Sequence, residues 1–346
     1  GASASSSEAL PSAVHCSSMT ESVLLDGDSL SVEDVHRVAV ARAPVALSAR
    51  GRERIARARA VVVKVLERGE PVYGVTTGFG KLSDVAIPPE RLRELQVNLV
   101  RSHASGVGPL LSERDVRAMM LLRANVIAKG YSGARADLVE LLIGMLNAGL
   151  WPEVPEQGSV GASGDLAPLA HLALTLIGEG VLRRDGARGP AAELLRGAGL
   201  QPVVLEPKEG ITLINGTQAH TAIAALALID ALRAWRAAHI AGAMSLEALM
   251  GTPVAFDERI HAARGQAGQA ESAAVLRALL ADQSFEQRAE RTRLQRLGGR
   301  PRLAAIAIKQ LVGDILDPRD RALQEAPRLF ARIEQVVLNG GDRRER

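Results

Sequence analysis

The chain has 346 residues, of which 47% are hydrophobic and 23% charged, so it can bury the core of one large or two ordinary domains. Aromatic residues make up only 2%, which leaves aliphatic side chains to fill the interior and favours packed helices over sheets. The single cysteine, Cys16, excludes an intrachain disulfide, no Cys/His cluster has metal-ligand spacing, and no apolar stretch approaches the ~20 residues that span a bilayer. We therefore predict a soluble, cytoplasmic protein without a metal site or a membrane anchor.

The net charge of +3 is unevenly distributed along the chain. Residues 286–346 carry a net charge of +5, which leaves −2 for residues 1–285. The basic residues of this stretch alternate with Asp and Glu, a pattern that favours a solvated helix face over a nucleic-acid interface. No nucleic-acid partner is predicted.

Composition and periodicity divide the chain into four parts. Residues 1–20 are small, polar and unpatterned, which is typical of a disordered leader. We expect an N-terminal domain over residues 21–205, the start of a central helical bundle over 206–285 and a divergent helical tail over 286–346. The predicted fold class is mainly α, with a mixed loop and helix domain followed by a bundle of long helices.

Local signals predict the main elements in chain order. Ser31 precedes Glu33 and Asp34 and predicts a helix start. Apolar residues that recur at spacings of three and four predict helices over residues 89–100, 112–129, 135–150, 166–180 and 219–250. Two glycine-containing segments, residues 73–80 and 210–216, predict loops.

The segment from Gly161 to Leu169 reads Gly-Ala-Ser-Gly-Asp-Leu-Ala-Pro-Leu. By itself it indicates a helix entry that Ser163 or Asp165 would cap. It also resembles the signature of the aromatic amino acid ammonia-lyase family, which contains related aminomutases. In that family the Ala-Ser-Gly triplet cyclises to 4-methylidene-imidazol-5-one when the glycine amide nitrogen attacks the alanine carbonyl and two waters leave.

The resemblance implies that Ala162, Ser163 and Gly164 are catalytic and form this electrophile, with no external cofactor. Each residue type suits the reaction, because Gly164 has no side chain to block the attack and can adopt strained backbone angles. Ser163 supplies a leaving hydroxyl, and Ala162 is small enough for close approach. Asp165 is expected to assist the dehydration.

A glycine-rich segment from Tyr73 to Gly80 resembles a second motif of the same family. An isolated tyrosine is usually a core or surface residue, but backbone shape rather than packing positions a phenol on a glycine loop. The family's tyrosine is taken as a base near the substrate amine or β-carbon. The resemblance gives Tyr73 this catalytic role.

Residues 98–106 resemble a third motif, in which Ser102 and His103 occupy the position that sets substrate selectivity. Relatives specific for phenylalanine or tyrosine carry Phe-Leu or His-Leu there. A lone histidine is more often a satisfied polar residue than a group that reads a ligand. An imidazole here can nevertheless pair with the substrate ring, whose nitrogens an apolar side chain would leave unsatisfied. The resemblance therefore implies L-histidine as the substrate and His103 as a substrate-binding residue.

Residues 206–218 resemble a fourth motif, which contains an Asn-Gly pair. Such a pair alone indicates only a turn. Here it precedes a long predicted helix, whose N-terminal amides favour negative charge. The family's asparagine contacts the cofactor or the substrate amine, which makes Asn215 the candidate for that contact.

The four motifs occur in the family's order, and their resemblance implies an ammonia-lyase-like fold and a homotetramer with active sites at subunit contacts. The implied reaction eliminates ammonia from L-histidine to give trans-urocanate. An aminomutase of the same family is an alternative that the sequence hardly separates from a lyase.

Family members continue with a Gln-Asp-x-Tyr-Ser-x-Arg-Cys-x-Pro-Gln stretch, which supplies a second tyrosine and an arginine for the substrate carboxylate. This chain does not contain that stretch, in which a tyrosine precedes a cysteine. Its only tyrosines are Tyr73 and Tyr131, and its only cysteine, Cys16, precedes both. We therefore expect a C-terminally truncated or divergent member. An inactive paralogue that serves as a binding or assembly partner is a further alternative.

Overall fold

The computed structural model describes residues 21–160, 164–249 and 251–281. The expected leader, the tail over residues 286–346 and the two residues Ala162 and Ser163 lie outside the described residues. Contacts divide the chain into two units, and the division falls between Leu226 and Ala227.

The described part of the first unit is mainly helical. Its helices are α1 (Val32–Ala39), α2 (Ala49–Arg68), α3 (Leu92–His103), α4 (Glu113–Ala128), α5 (Ala136–Asn147), α6 (Leu166–Leu176), α7 (Ala191–Gly197), α8 (Glu209–Ile214) and the start of α9 (Gln218–Ala248). Two short 3-10 turns, Gly80–Leu82 and Pro89–Arg91, lie between α2 and α3. The predicted mainly α class is confirmed.

Short strands connect these helices. They are β1 (Val23–Leu25), β2 (Val45–Leu47), β3 (Val107–Leu110), β4 (Trp151–Pro152), β5 (Pro155–Gln157), β6 (Val181–Arg184) and β7 (Ala187–Pro190). β1 pairs in parallel with β2, β3 pairs antiparallel with β5, and β6 pairs antiparallel with β4 and β7. Because Val107 pairs with Gln157, the segment that leaves α3 lies beside the segment that leads to the Ala-Ser-Gly triplet.

Local signals set the ends of the early helices. The amide of Asp34 donates to Ser31 Oγ at 3.1 Å, and the amide of Ser31 donates to the Asp34 carboxylate at 3.2 Å, which forms a reciprocal N-terminal cap. The predicted start at Ser31 is confirmed. Gly69 ends α2 with a φ of 65°, a left-handed conformation that glycine adopts without steric cost.

Helix α4 lies in the core of the first unit and packs against α1 and α5. Its side chains Met119 and Leu121 are completely buried, and so is the guanidinium-bearing residue Arg117. Arg117 donates from Nη1 to the carbonyl of Leu146 at 3.1 Å and from Nη2 to that of Val38 at 2.9 Å. These carbonyls lie in the last turns of α5 and α1, where backbone acceptors lack helical partners. Arg117 therefore joins two helix ends.

The predicted loop over residues 210–216 is wrong for most of its length, because α8 covers Glu209–Ile214. Contacts remote in sequence stabilise this helix. The Glu209 carboxylate is completely buried and pairs with Arg135 at 2.8 Å. Such pairing offsets the low helix propensity of the glycine and β-branched residues in the segment. The loop is thus reduced to the three residues between α8 and α9.

The described part of the second unit is also helical. It contains the rest of α9, a 3-10 turn (Pro253–Phe256), α10 (Glu258–Arg264) and α11 (Ala267–Leu279). Helices α10 and α11 pack on each other, and Arg277 donates to the carbonyl of Phe256 at 2.6 Å. Across the described ranges, no helix has the length and apolar character needed to cross a bilayer.

Candidate active site

Gly164, the last residue of the triplet, lies against the turn that follows α8. Its φ is +133°, a backbone conformation that residues with a Cβ rarely adopt. A Cβ at this position would also overlap the carbonyl oxygen of Gly216. The amide of Asp165 donates to that same oxygen at 2.6 Å. Glycine is therefore the residue that fits at position 164.

Asp165 is 1% exposed, and its carboxylate accepts three hydrogen bonds. Ser159 Oγ lies 2.7 Å from Oδ1, the backbone amide of His220 lies 3.0 Å from Oδ2, and His220 Nδ1 lies 2.9 Å from Oδ1. Burial raises the pKa of Asp165, but the hydrogen bonds from His220 and Ser159 outweigh it and lower the pKa below its ordinary value. The group is therefore a carboxylate at neutral pH.

The alternative in which Asp165 caps α6 is wrong, because its side chain makes no capping bond to that helix. Instead it links three segments. Ser159 precedes the triplet, Asp165 follows it, and His220 lies in the first turn of α9. The carboxylate thereby joins the residues on either side of the triplet to the start of the long helix.

Asn215 and Gly216 form the turn between α8 and α9. The Asn215 residue is exposed, and its backbone carbonyl accepts hydrogen bonds from Arg123 at 3.1 and 3.3 Å. A Cβ on Gly216 would overlap Arg123 and the side chain of Gln218. The Asn-Gly pair is therefore a turn whose glycine is required by a buried arginine.

Arg123 is a site residue that sequence reasoning missed. It is 2% exposed and also donates to the carbonyl of Thr212 and to Gln218 Oε1. Burial lowers the pKa of Arg123 to about 10, so the guanidinium remains charged at neutral pH. The available signal was an arginine within an apolar helical run, where a charged side chain requires a specific partner.

Tyr73 lies on a loop, as the glycines of its motif predict. The residue is 60% exposed, and its ring meets Phe79 edge to face, with 6.1 Å between ring centroids. Thr76 holds the loop by accepting from the amide of Val72 at 2.8 Å and donating to the carbonyl of Glu70 at 2.6 Å. The phenol is thus presented by the backbone with most of its surface open.

His103 is the last residue of α3 and is half-buried. Its Nδ1 atom lies 2.9 Å from the carbonyl oxygen of Leu99 and 3.1 Å from Ser102 Oγ. Because a carbonyl can only accept, the neutral ring carries its proton on Nδ1 and its lone pair on Nε2. His103 can therefore offer an acceptor to a ligand.

Packing brings three of the motifs together. Helix α3 ends at His103, α6 follows Gly164, and α8 precedes Asn215, and these three helices pack against one another. The loop of Tyr73 approaches α8 at Gly74, where a Cβ would lie 3.9 Å from Ile211 Cγ2. No group of three His, Cys, Asp or Glu side chains within the described residues has metal-binding geometry.

The model of the aromatic amino acid lyase family matches residues 30–297, and the chain belongs to that family. Two similar curated relatives are histidine ammonia-lyases. That of Anaeromyxobacter dehalogenans (strain 2CP-C) is 56% identical over 268 residues, which cover 75% of this chain and 53% of the relative. That of Geobacillus thermodenitrificans (strain NG80-2) is 44% identical over 325 residues, which cover 92% of this chain and 64% of the relative. The chain therefore spans roughly half to two thirds of their length.

Solved structures of the family have the same fold. Histidine ammonia-lyase from Trypanosoma cruzi matches with a TM-score of 0.70 and 40% identity over 78% of this chain and 52% of that chain. Phenylalanine aminomutase from Pantoea agglomerans matches with a TM-score of 0.74 and 28% identity over 92% of this chain and 62% of that chain. The ammonia-lyase-like fold expected from the four motifs is confirmed.

Proposed function

We propose that this chain is the catalytic-loop portion of a lyase that eliminates ammonia from L-histidine to give trans-urocanate. The observation that carries the proposal is the contact of Gly164 with Gly216, in a backbone conformation that suits cyclisation of the triplet. The names of the curated relatives support histidine as the substrate. Assembly as a homotetramer, a cytoplasmic location and the domain boundaries after residues 205 and 285 belong to the same proposal.

The electrophile would form from residues of this chain without an oxidant or another reactant. The Gly164 nitrogen bonds to the Ala162 carbonyl carbon, and the carbonyl oxygen leaves as water with the amide hydrogens of Gly164 and Ser163. A second water takes the Ser163 hydroxyl and its α-hydrogen. Asp165, a carboxylate two residues from Ser163, is suited to accept a proton during these losses.

The finished methylidene-imidazolone would supply an electron-poor alkene that withdraws electrons from the substrate and so weakens its C–N bond. Tyr73 would accept a proton from the substrate, for which its open position on the loop is suited. Asn215, an exposed residue, would contact the substrate amine or the cofactor formed from the triplet. Both roles require substrate to lie between the loop of Tyr73 and the turn after α8.

His103 would select the substrate by its hydrogen-bonding pattern. Its Nδ1–H donates to the carbonyl of Leu99, so Nε2 can accept a hydrogen bond from the N–H of a substrate imidazole. A phenyl ring offers no such donor and would leave Nε2 unpaired. Sites that hydrogen-bond a substrate group reject analogues that lack it, which favours histidine over phenylalanine.

An aminomutase is the second candidate, because a phenylalanine aminomutase is among the solved structures that share the fold. The two reactions differ in whether ammonia is released or added back. Product analysis separates them, since a lyase accumulates free ammonia and an unsaturated acid in equal amounts. A mutase returns an isomeric amino acid.

Intact-mass and peptide analysis of the freshly purified chain tests the proposal. The peptide that contains residues 162–164 should be lighter by two water molecules, and L-histidine should be converted to urocanate. A peptide of unmodified mass in folded protein would overturn the electrophile. Loss of both waters without any urocanate would favour the inactive paralogue that binds a partner.

A further inference from the structure

A positive charge in the core of the first unit has only neutral partners among the described residues. The guanidinium of Arg123 donates to the carbonyls of Thr212 and Asn215 and to the side-chain oxygen of Gln218. Its Nε atom is buried without a hydrogen-bond partner. Placing an unpaired cation in a protein core is costly, and an apolar side chain of similar size is often as stable. Core packing alone therefore does not account for an arginine at this position.

The partners of Arg123 lie on both sides of one turn. Thr212 belongs to α8, Asn215 to the turn, and Gln218 is the first residue of α9. One planar group thus fixes the end of one helix relative to the start of the next. Its several donors have a rigid arrangement that a lysine cannot reproduce.

This turn is the surface against which the triplet rests. The carbonyl oxygen of Gly216 accepts from the amide of Asp165 at 2.6 Å and leaves no space for a Cβ on Gly164. A shift of the turn would therefore move the Gly164 amide, the group whose nitrogen must reach the carbonyl of Ala162. Arg123 is linked to the reacting backbone through the turn residues Asn215, whose carbonyl accepts from the guanidinium, and Gly216.

We propose that Arg123 is a positioning residue for cyclisation of the triplet. It fixes the Asn215–Gly216 turn, whose Gly216 carbonyl oxygen contacts Gly164. The inference rests on the proposed function, because it presumes that residues 162–164 cyclise. Misplacement of reacting atoms by about 1 Å can slow a reaction ~100-fold. Loss of the guanidinium should slow cyclisation by a similar factor.

Helix α4 offers a matched control in Arg117. That residue is also a buried arginine with carbonyl partners, but it joins the ends of α1 and α5 rather than the turn. Arg123→Met, Arg123→Lys and Arg117→Met are synthesised in a cell-free system beside the parent chain. Samples taken over time are measured for mass loss of two waters, and protease resistance measures the folded fraction.

We expect folded Arg123→Met to cyclise ~100-fold more slowly than the parent, Arg123→Lys to be intermediate, and Arg117→Met to cyclise at the parental rate. Parental rates in folded Arg123 variants, or an equal slowing in Arg117→Met, would overturn the inference. If only Arg123→Met fails to fold, Arg123→Lys decides. If both fail while Arg117→Met folds, the role is structural and the inference is lost. A parent chain that keeps both waters would overturn the proposed function as well.

Discussion

His220 contacts both oxygens of the Asp165 carboxylate, with its backbone amide 3.0 Å from Oδ2 and its Nδ1 atom 2.9 Å from Oδ1. One residue of the first turn of α9 thus fixes the orientation of a carboxylate 55 positions earlier in the chain. Because Asp165 directly follows Gly164, this contact places a charged oxygen beside the triplet. Mutation of Asp165 therefore tests whether this carboxylate takes part in formation of the electrophile.

Replacement of Asp165 by Asn should slow formation of the electrophile. The amide keeps the shape of the side chain but cannot take up a proton, and such groups typically contribute about 10²-fold or more to proton transfer. The rate of two-water loss after cell-free synthesis provides the measurement. Asp137→Asn is the control, because that carboxylate is 59% exposed and pairs with Arg135 away from the triplet. Equal rates for the parent and Asp165→Asn would remove Asp165 from the reaction.

The same carboxylate should make stability depend on acid pH. The native pKa of Asp165 lies below its ordinary value of 3.8, so the folded chain binds fewer protons than the unfolded chain in this range. Its contribution is complete above the ordinary value and is lost as the pH falls through the native pKa. Urea unfolding of the parent and Asp165→Asn, compared between about pH 6 and pH 3, should give a stability difference that shrinks toward acid. A difference that grows toward acid would contradict the assignment.

Replacement of Ser163 by Ala should abolish the electrophile and leave the fold intact. Alanine has no hydroxyl to lose, so the second water cannot leave, whereas a substitution that removes one hydroxyl group usually costs little stability. We expect loss of urocanate formation and of the near-ultraviolet difference band, with an unchanged thermal midpoint. Retention of full activity would show that the reaction does not use the Ser163 hydroxyl.

Replacement of His103 by Leu should weaken turnover of L-histidine. An unsatisfied polar group in the bound complex costs about 1–3 kcal/mol, which corresponds to a roughly 5- to 150-fold lower kcat/KM. Loss of two waters should be unaffected, because His103 donates to Leu99 and makes no bond to Asp165 or Arg123 in the described structure. His103→Gln, which retains an acceptor, is the control. Unchanged kcat/KM in His103→Leu would place the substrate ring elsewhere.

Much of the fold could be predicted from the chain because helical periodicity is a local property. The predicted helices over residues 112–129 and 135–150 correspond closely to α4 and α5, whose apolar residues form the core. Helix α8 was not predictable in this way, because the buried Glu209 is held by Arg135, 74 positions away. Local propensity cannot register such a contact.

In the candidate site, too, some residues could be predicted from the sequence and others could not. Motif resemblance locates Gly164 and Asn215, since it depends on contiguous residues. The residues that orient them, Arg123 and His220, become visible only when α4 and α9 meet the turn after α8. An arginine inside an apolar run hints at such a role but does not name its partners.

The hydrogen bonds around Gly164 involve Ser159, Asp165, His220 and Arg123, whereas His103 makes its own bonds within α3. The residues proposed to form the electrophile therefore share no hydrogen bond with the side chain proposed to select the substrate. A substitution at residue 103 could then change which amino acid is bound without disturbing formation of the electrophile. One scaffold could in this way acquire new substrates through single substitutions.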